Sequence, residues 1–116
     1  MFEVVLPYPP SINHYWRRVG PRTLISREGR RFRERVVAIL AARRTEPLVG
    51  HLEVDIEIHP PDNRRRDIDN VQKALLDALQ HGGAYEDDSQ IVRLAIVKRK
   101  PLVGGKTVVR IRNEAC

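Results

Sequence analysis

Three features of the sequence predict an α+β fold: a mixed or antiparallel sheet with two main helices packed on one face. His51 to His59 alternates apolar and polar residues with period 2, the pattern of a half-buried strand. Ser26 to about Arg44, and Arg64 to Leu79, carry apolar residues at helical spacing. The apolar runs towards the two ends are short and bounded by Pro or Gly, as strands are. The resulting order, β, short β, α, β, α, β, β, suits helices laid against one side of a sheet. At 116 residues and 41% hydrophobic content, residues 1–116 predict one domain, long enough for a real core but not for two.

Phe2 to Leu6 reads as the first strand, closed by Pro7, Pro9 and Pro10, which cannot donate ladder hydrogen bonds. In PPSINHYWRR, Ser11 and Asn13 favour a turn, while Tyr15 and Trp16 place aromatic rings beside Arg17 and Arg18. That mixture suits a nucleic-acid backbone or an unstacked base. For Trp16 itself, plugging the edge of the core is the favoured role, which leaves Asn13, Arg17 and Arg18 as DNA contacts. Ser26 is placed to cap the first long helix, with Phe32, Val36, Ile39 and Leu40 on its buried side. Its other side holds Arg27, Arg30, Arg31, Arg33 and Arg35. Such a row, with Arg27 and Arg31 foremost, can follow a duplex backbone, or be a solvated basic face. Gly29 costs little in a first turn.

Pro47 and Gly50 signal a loop. In the alternating strand Leu52, Val54, Ile56 and Ile58 face one way and Glu53, Asp55 and Glu57 the other, the acids being expected in solvent. Pro60 and Pro61 end it. His81-Gly82-Gly83 breaks the second helix, a strand follows from about Gln90 to Lys98, and Gly104-Gly105 suggests a hairpin into a last strand, Lys106 to Arg112. No repeat, low-complexity tract or linker is evident.

Lys and Arg outnumber Asp and Glu 21 to 15, a net charge of +6, which favours a polyanionic partner, most commonly nucleic acid. No long apolar run, signal peptide or basic amphipathic anchor points to a membrane. The single cysteine, Cys116, excludes an intrachain disulfide and a cysteine zinc site, and His14, His51, His59 and His81 lack zinc-ligand spacing. A reduced, cytoplasmic protein is expected.

The most informative stretch is RRRDIDNVQKALLDAL, Arg64 to Leu79. Ile68, Val71, Leu75 and Leu79 recur at helical spacing, so Asp67, Asp69, Asn70 and Lys73 sit where an amphipathic helix begins. Asp69 and Lys73, at i and i+4, would share a face. A capped surface helix with an ion pair explains one acid; two converging carboxylates repel unless a cation lies between them. Oxygen-only donors favour a hard ion such as Mg²⁺, which takes one or two protein carboxylates and completes its shell from water and phosphate. Arg64, Arg65 and Arg66 would hold the nucleic-acid backbone beside it. A second acidic pair, Asp87 and Asp88, stands just ahead of the later strand.

LPYPPSIN, SREGRRFRERV, RRRDIDNVQKALLDAL and AYEDDSQI occur in that order, and together the chain resembles the RusA family of Holliday junction resolvases. The specific part is D-x-D-N-x-x-K followed by DDSQI. The resemblance implies a RusA-like fold and a homodimeric, Mg²⁺-dependent endodeoxyribonuclease, with Mn²⁺ a possible substitute and no other small-molecule cofactor. Its substrate would be four-way junction DNA in recombination and repair, resolved by paired symmetric nicks. It also implies that Asp67, Asp69 and Asp88 hold the metal and, with Lys73, carry catalysis, while Asp87 either orients a water or caps a turn. Two other functions fit parts of the sequence: a non-catalytic DNA- or RNA-binding module with structural acids, and a metal-dependent nuclease acting on other branched DNA or RNA. Carboxylates facing phosphate are repulsive without a metal, which favours an enzyme.

Overall fold

In chain order the elements are β1 (Phe2–Leu6), α1 (Ile12–Tyr15), β2 (Trp16–Val19), β3 (Arg22–Ile25), α2 (Arg27–Ala42), β4 (Leu52–His59), α3 (Gln72–His81), β5 (Ile91–Lys98) and β6 (Lys106–Asn113). Single 3-10 turns at Ile68–Asn70 and Asp88–Gln90 precede α3 and β5. The computed structural model describes residues 2–114; Cys116 lies outside the described residues.

β4 carries the strictest alternation in the chain and lies inside the sheet, whose order is β1-β6-β4-β5. It pairs antiparallel with β6 (Val54 opposite Ile111, Ile56 opposite Val109) and parallel with β5. Leu52, Val54, Ile56 and Ile58 are buried on one face with Val4, Leu6, Val109 and Ile111, each contributing on the order of 1.5–3 kcal/mol relative to exposure. The sheet is mixed, as predicted, but the expected hairpin between the last two strands is not formed. β5 and β6 straddle β4. Arg99 N–H donates to Ile58 O and Leu102 N–H to Pro60 O, carrying the chain past the end of β4 before Gly104 (φ 83°) and Gly105 (φ 73°) turn it back. A Cβ at Gly105 would lie 2.7 Å from the Tyr8 Cβ, so the return depends on glycine.

The other face of the sheet is laced by ion pairs. Glu53 meets Arg112 at 3.0 Å, Glu57 meets Arg99 at 2.8 Å and Arg110 at 3.3 Å, and Glu3 meets Arg110 at 2.6 Å, with Asp55 also on Arg112. The β4 acids, expected to be simply solvated, are thus neutralised by arginines one strand away, which sequence spacing does not reveal.

Ser26 caps α2, its hydroxyl accepting from Gly29 N–H at 2.9 Å, and Phe32, Val36 and Leu40 are buried. The helix stops at Ala42, two residues short of the prediction, and Arg44 takes φ 54°. Gly29 is not the cheap residue it seemed from sequence. A Cβ there would lie 2.5 Å from Tyr15 O, so α2 reaches α1 only because position 29 has no side chain.

The predicted second helix is also shorter than its periodicity. Val71, Leu75 and Leu79 are buried with Ala74 and Ala78, but Ile68 is 38% exposed and belongs to a separate 3-10 turn. Where one short strand was expected, β2 and β3 form an antiparallel ribbon turning at Gly20 (φ 60°), with Arg17, Arg18 and Arg22 exposed. Trp16 packs partly against the core, as favoured, its ring edge-on to Tyr15 at 5.0 Å. Tyr15 is fully buried and cannot meet a base, contrary to its reading as part of an aromatic contact. No helix among the described residues is long and apolar enough to cross a membrane.

Candidate functional site

Beyond Pro61 the arginine run is fastened as a loop by Asp62. Its Oδ1 accepts from Arg64 N–H at 2.9 Å and from Arg66 Nη1 at 2.7 Å. These bonds, the Arg66 one foremost, hold the Asp62 carboxyl below the usual carboxylate range. The Arg66 guanidinium lies 5.9 Å over the Tyr8 ring, and Lys98 Nζ donates to Arg66 O at 2.8 Å. Arg66, expected to hold phosphate, is therefore engaged within the fold. Arg64 is 84% exposed and only 3.8 Å from Asp62, and Arg65 is exposed with no ion pair among the described residues. These two remain available to an anion.

Asp67 enters the 3-10 turn in extended conformation (φ −85°, ψ 138°), and its side chain makes no capping bond. Asp69 lies in the turn, exposed. Val71 (φ −107°, ψ −15°) joins the turn to α3, and among the described residues Asp69 and Lys73 form no ion pair, so the capped helix with an ion pair does not account for Asp69. Lys73 is exposed in the first turn of α3. Burial of Val71 seats α3, while the polar residues before it stay at the surface.

Asp88 reaches α3 from beyond its other end. Its N–H donates to Gln80 Oε1 at 3.2 Å, and its carboxyl stands beside the Tyr85 hydroxyl, which donates to Leu76 O at 2.8 Å. Burial above all, then the Asp88 charge, pushes the Tyr85 pKa up. Asp88 Oδ1 is buried with no hydrogen-bond partner, which is uncommon for a carboxylate oxygen. Asp87 caps the turn: its Oδ1 accepts from Ser89 N–H at 2.8 Å, and Gln90 reciprocates in a capping box. Gln90 Nε2 also donates to Leu48 O and Gly50 O, both at 3.0 Å, a tie that sequence reading missed because its partners are loop carbonyls.

Among the described residues, no three His, Cys, Asp or Glu side chains are gathered closely enough to hold an ion. The sequence reading placed Asp67 and Asp69 at the start of a helix and Asp88 ahead of the later strand, joined to them about one metal by the resemblance; in the fold the first two precede α3 and the third follows it. The donor chemistry still fits a hard divalent cation: all three are carboxylates, the Asp67 side chain caps nothing, and Asp88 Oδ1 lacks a partner.

A cavity of about 650 Å³ opens beside Asp67, between α1 and the arginine loop. Its walls are held together by a network that sequence reading also missed. Asp77, on α3, accepts from the Tyr15 hydroxyl and from Arg33 Nη2 at 2.7 Å, with His81 at 3.9 Å. Burial alone would raise the Asp77 pKa, but the bonds from Tyr15 and Arg33 outweigh it and lower it. Arg33 thereby leaves the exposed row of α2, while Arg27, Arg30, Arg31 and Arg35 stay at the surface. Asn13 is exposed on α1.

A family model described as Endodeoxyribonuclease RusA matches residues 7–112. The chain is 38% identical over 111 residues to a crossover junction endodeoxyribonuclease of Enterobacteria phage HK97, covering 95% of this chain and 92% of the relative. It is 40% identical over 117 aligned positions to the protein of that name from Enterobacteria phage 82, and 39% to that of Escherichia coli strain K12, each covering 97% of this chain and 98% of the relative.

Proposed function

The chain belongs to the RusA endodeoxyribonuclease family, and from that premise we propose that it is a Mg²⁺-dependent crossover junction endodeoxyribonuclease, with residues 1–116 acting as one catalytic unit. The observation that carries this reading is a set of carboxylates without cationic partners among the described residues, two of them beside the exposed arginines of the loop. Asp67 and Asp69 adjoin exposed Arg64 and Arg65, and Asp88 keeps a buried oxygen unsatisfied. A surface built only to grip phosphate gains nothing from such acids.

A divalent cation held by Asp67, Asp69 and Asp88 would lower the pKa of an attacking water and neutralise charge building on the phosphoryl group. Mg²⁺ is commonly bound through one or two carboxylates plus substrate phosphate, so a single chain need not gather three acids in advance. Lys73 supplies a fixed positive charge for the transition state. Arg64 and Arg65 hold flanking phosphates, supported by Arg17, Arg18, Arg27, Arg31 and Asn13. Resolving a junction takes two nicks, and a C₂ homodimer presents two such sites to a two-fold substrate. A cytoplasmic site of action accords with a DNA substrate.

The test is a gel cleavage assay on a labelled four-way junction, its linear duplex control and a structured RNA, with wild type and Asp69→Asn, with and without Mg²⁺. Paired symmetric nicks are expected only in the junction, only with metal and only from wild type, while Asp69→Asn still binds the junction. Junction binding without cleavage under any divalent metal would turn the reading to a binding module.

A further inference from the structure

We propose that the cavity between α1 and the arginine loop is a nucleotide subsite: it receives one unstacked nucleotide of the substrate strand next to the scissile phosphate. The choice of occupant rests on the endonuclease reading above; the chemistry of the pocket is independent of it.

At about 650 Å³ the cavity lies within the roughly 300–1,000 Å³ of small-ligand sites. Its mouth carries Arg64 and Arg65, so an anion is favoured there, and Asp67 borders the same space. An acid in that position would repel a phosphate seated against it, which leaves the phosphate to the arginines. Other lining groups suit a base. His14 Nδ1 is bonded to Ser11 Oγ at 2.8 Å, which orients the ring and leaves Nε2 to a ligand. The Asn70 amide offers both a donor and an acceptor, and Val71 adds an apolar surface.

Tyr8, also in the wall, adds its aromatic ring, while its hydroxyl is buried without a partner among the described residues. Arg66 lies over the Tyr8 ring and Tyr15 ties α1 to α3 through Asp77, so both walls are built before DNA arrives. A crossover point is where stacking is already interrupted, so extruding a base there costs least.

The first measurement is an NMR titration in EDTA with 5′-phosphorylated dinucleotides of each base. Amide shifts should concentrate at Ser11, His14, Arg65 and Asn70, and His14→Ala should weaken binding by about fivefold or more. The second uses junctions with an abasic site flanking the nick. Base removal and His14→Ala should each slow wild-type cleavage roughly tenfold, and together should do no more than either alone. Shifts scattered away from the cavity, or two effects that multiply, would overturn the subsite. Paired nicking with no dinucleotide in the cavity sinks this proposal alone. A dinucleotide seated in the cavity of a protein that cuts no junction keeps the subsite and sinks the resolvase reading.

Discussion

The helix-free face of the sheet and the surface around the arginine loop are both rich in arginine, yet they present opposite electrostatics. On the sheet face Arg99, Arg110 and Arg112 each meet a carboxylate of β1 or β4. Around the loop, Arg17, Arg18, Arg27, Arg30, Arg31 and Arg65 meet none among the described residues, while Asp67 and Asp69 stand nearby without partners. The net charge of +6 is therefore unevenly compensated, and the arginines around the loop can exchange counterions for phosphate. In the function proposed above, the uncompensated acids are what sets this side apart from a surface for simple grip.

The sharpest break of this comparison is between an uncompensated acid of the proposed site and a compensated acid of the sheet face. Asp88→Asn should lower junction cleavage by about 100-fold or more with junction binding retained, whereas Asp55→Asn, already neutralised by Arg112, should leave the rate unchanged. Equal losses from both would dissolve the distinction between the two.

The next effect is on stability, at the one α2 arginine that is paired. Asp77→Asn should destabilise the fold by about 2 kcal/mol in urea unfolding, since it weakens the hold on Tyr15 and Arg33. The folded-state Asp77 pKa is lowered. Its contribution is therefore present above the unfolded carboxylate value, about 3.9, and is lost as pH falls through the lower folded value. Wild type and variant should thus differ by a constant amount from neutral pH to about pH 5 and converge in stronger acid. A gap that widened with acidity would contradict the assignment.

A smaller effect reads the basic surface directly by fluorescence anisotropy across salt concentrations. Arg27→Ala with Arg31→Ala, or Arg17→Ala with Arg18→Ala, should each reduce the slope of log K against log salt by about 1.8, if both side chains touch phosphate. Arg110→Ala with Arg112→Ala should leave the slope as it was. The smallest effect is the thermal one at the sheet face: Arg112→Ala should lower Tm by roughly 2 °C, less in high salt, without altering cleavage. Last, Mg²⁺ titrated calorimetrically into the free protein should bind weakly and tighten when junction DNA with a non-hydrolysable linkage is present, because phosphate completes the ion's shell. Equal affinity with and without DNA would point to a metal site preformed in the protein.

Much of the fold and the content of the site were legible in the sequence because they are local. Period 2 in β4 and the Ser26 cap of α2 each depend on residues within a few positions, and the D-x-D-N-x-x-K and DDSQI motifs are the specific part of the resemblance to the family. What depends on distant partners was not legible. Periodicity says that Leu52 and Val54 share a face, but not that β6 would lie between β1 and β4 and so set Arg110 and Arg112 beside the β4 acids. It places Arg33 in a row with Arg31, but only Asp77, 44 residues on, removes it from that row. It lists Arg66 with Arg64 and Arg65, but the Asp62 carboxylate and the Tyr8 ring decide that Arg66 fastens the loop while the other two face outward. Sequence by itself determined which side chains this protein has for gripping and cutting phosphate. The tertiary structure decided which are free to do it, because a charge is neutralised by whatever packing brings within about 4 Å, however far away in the chain it began.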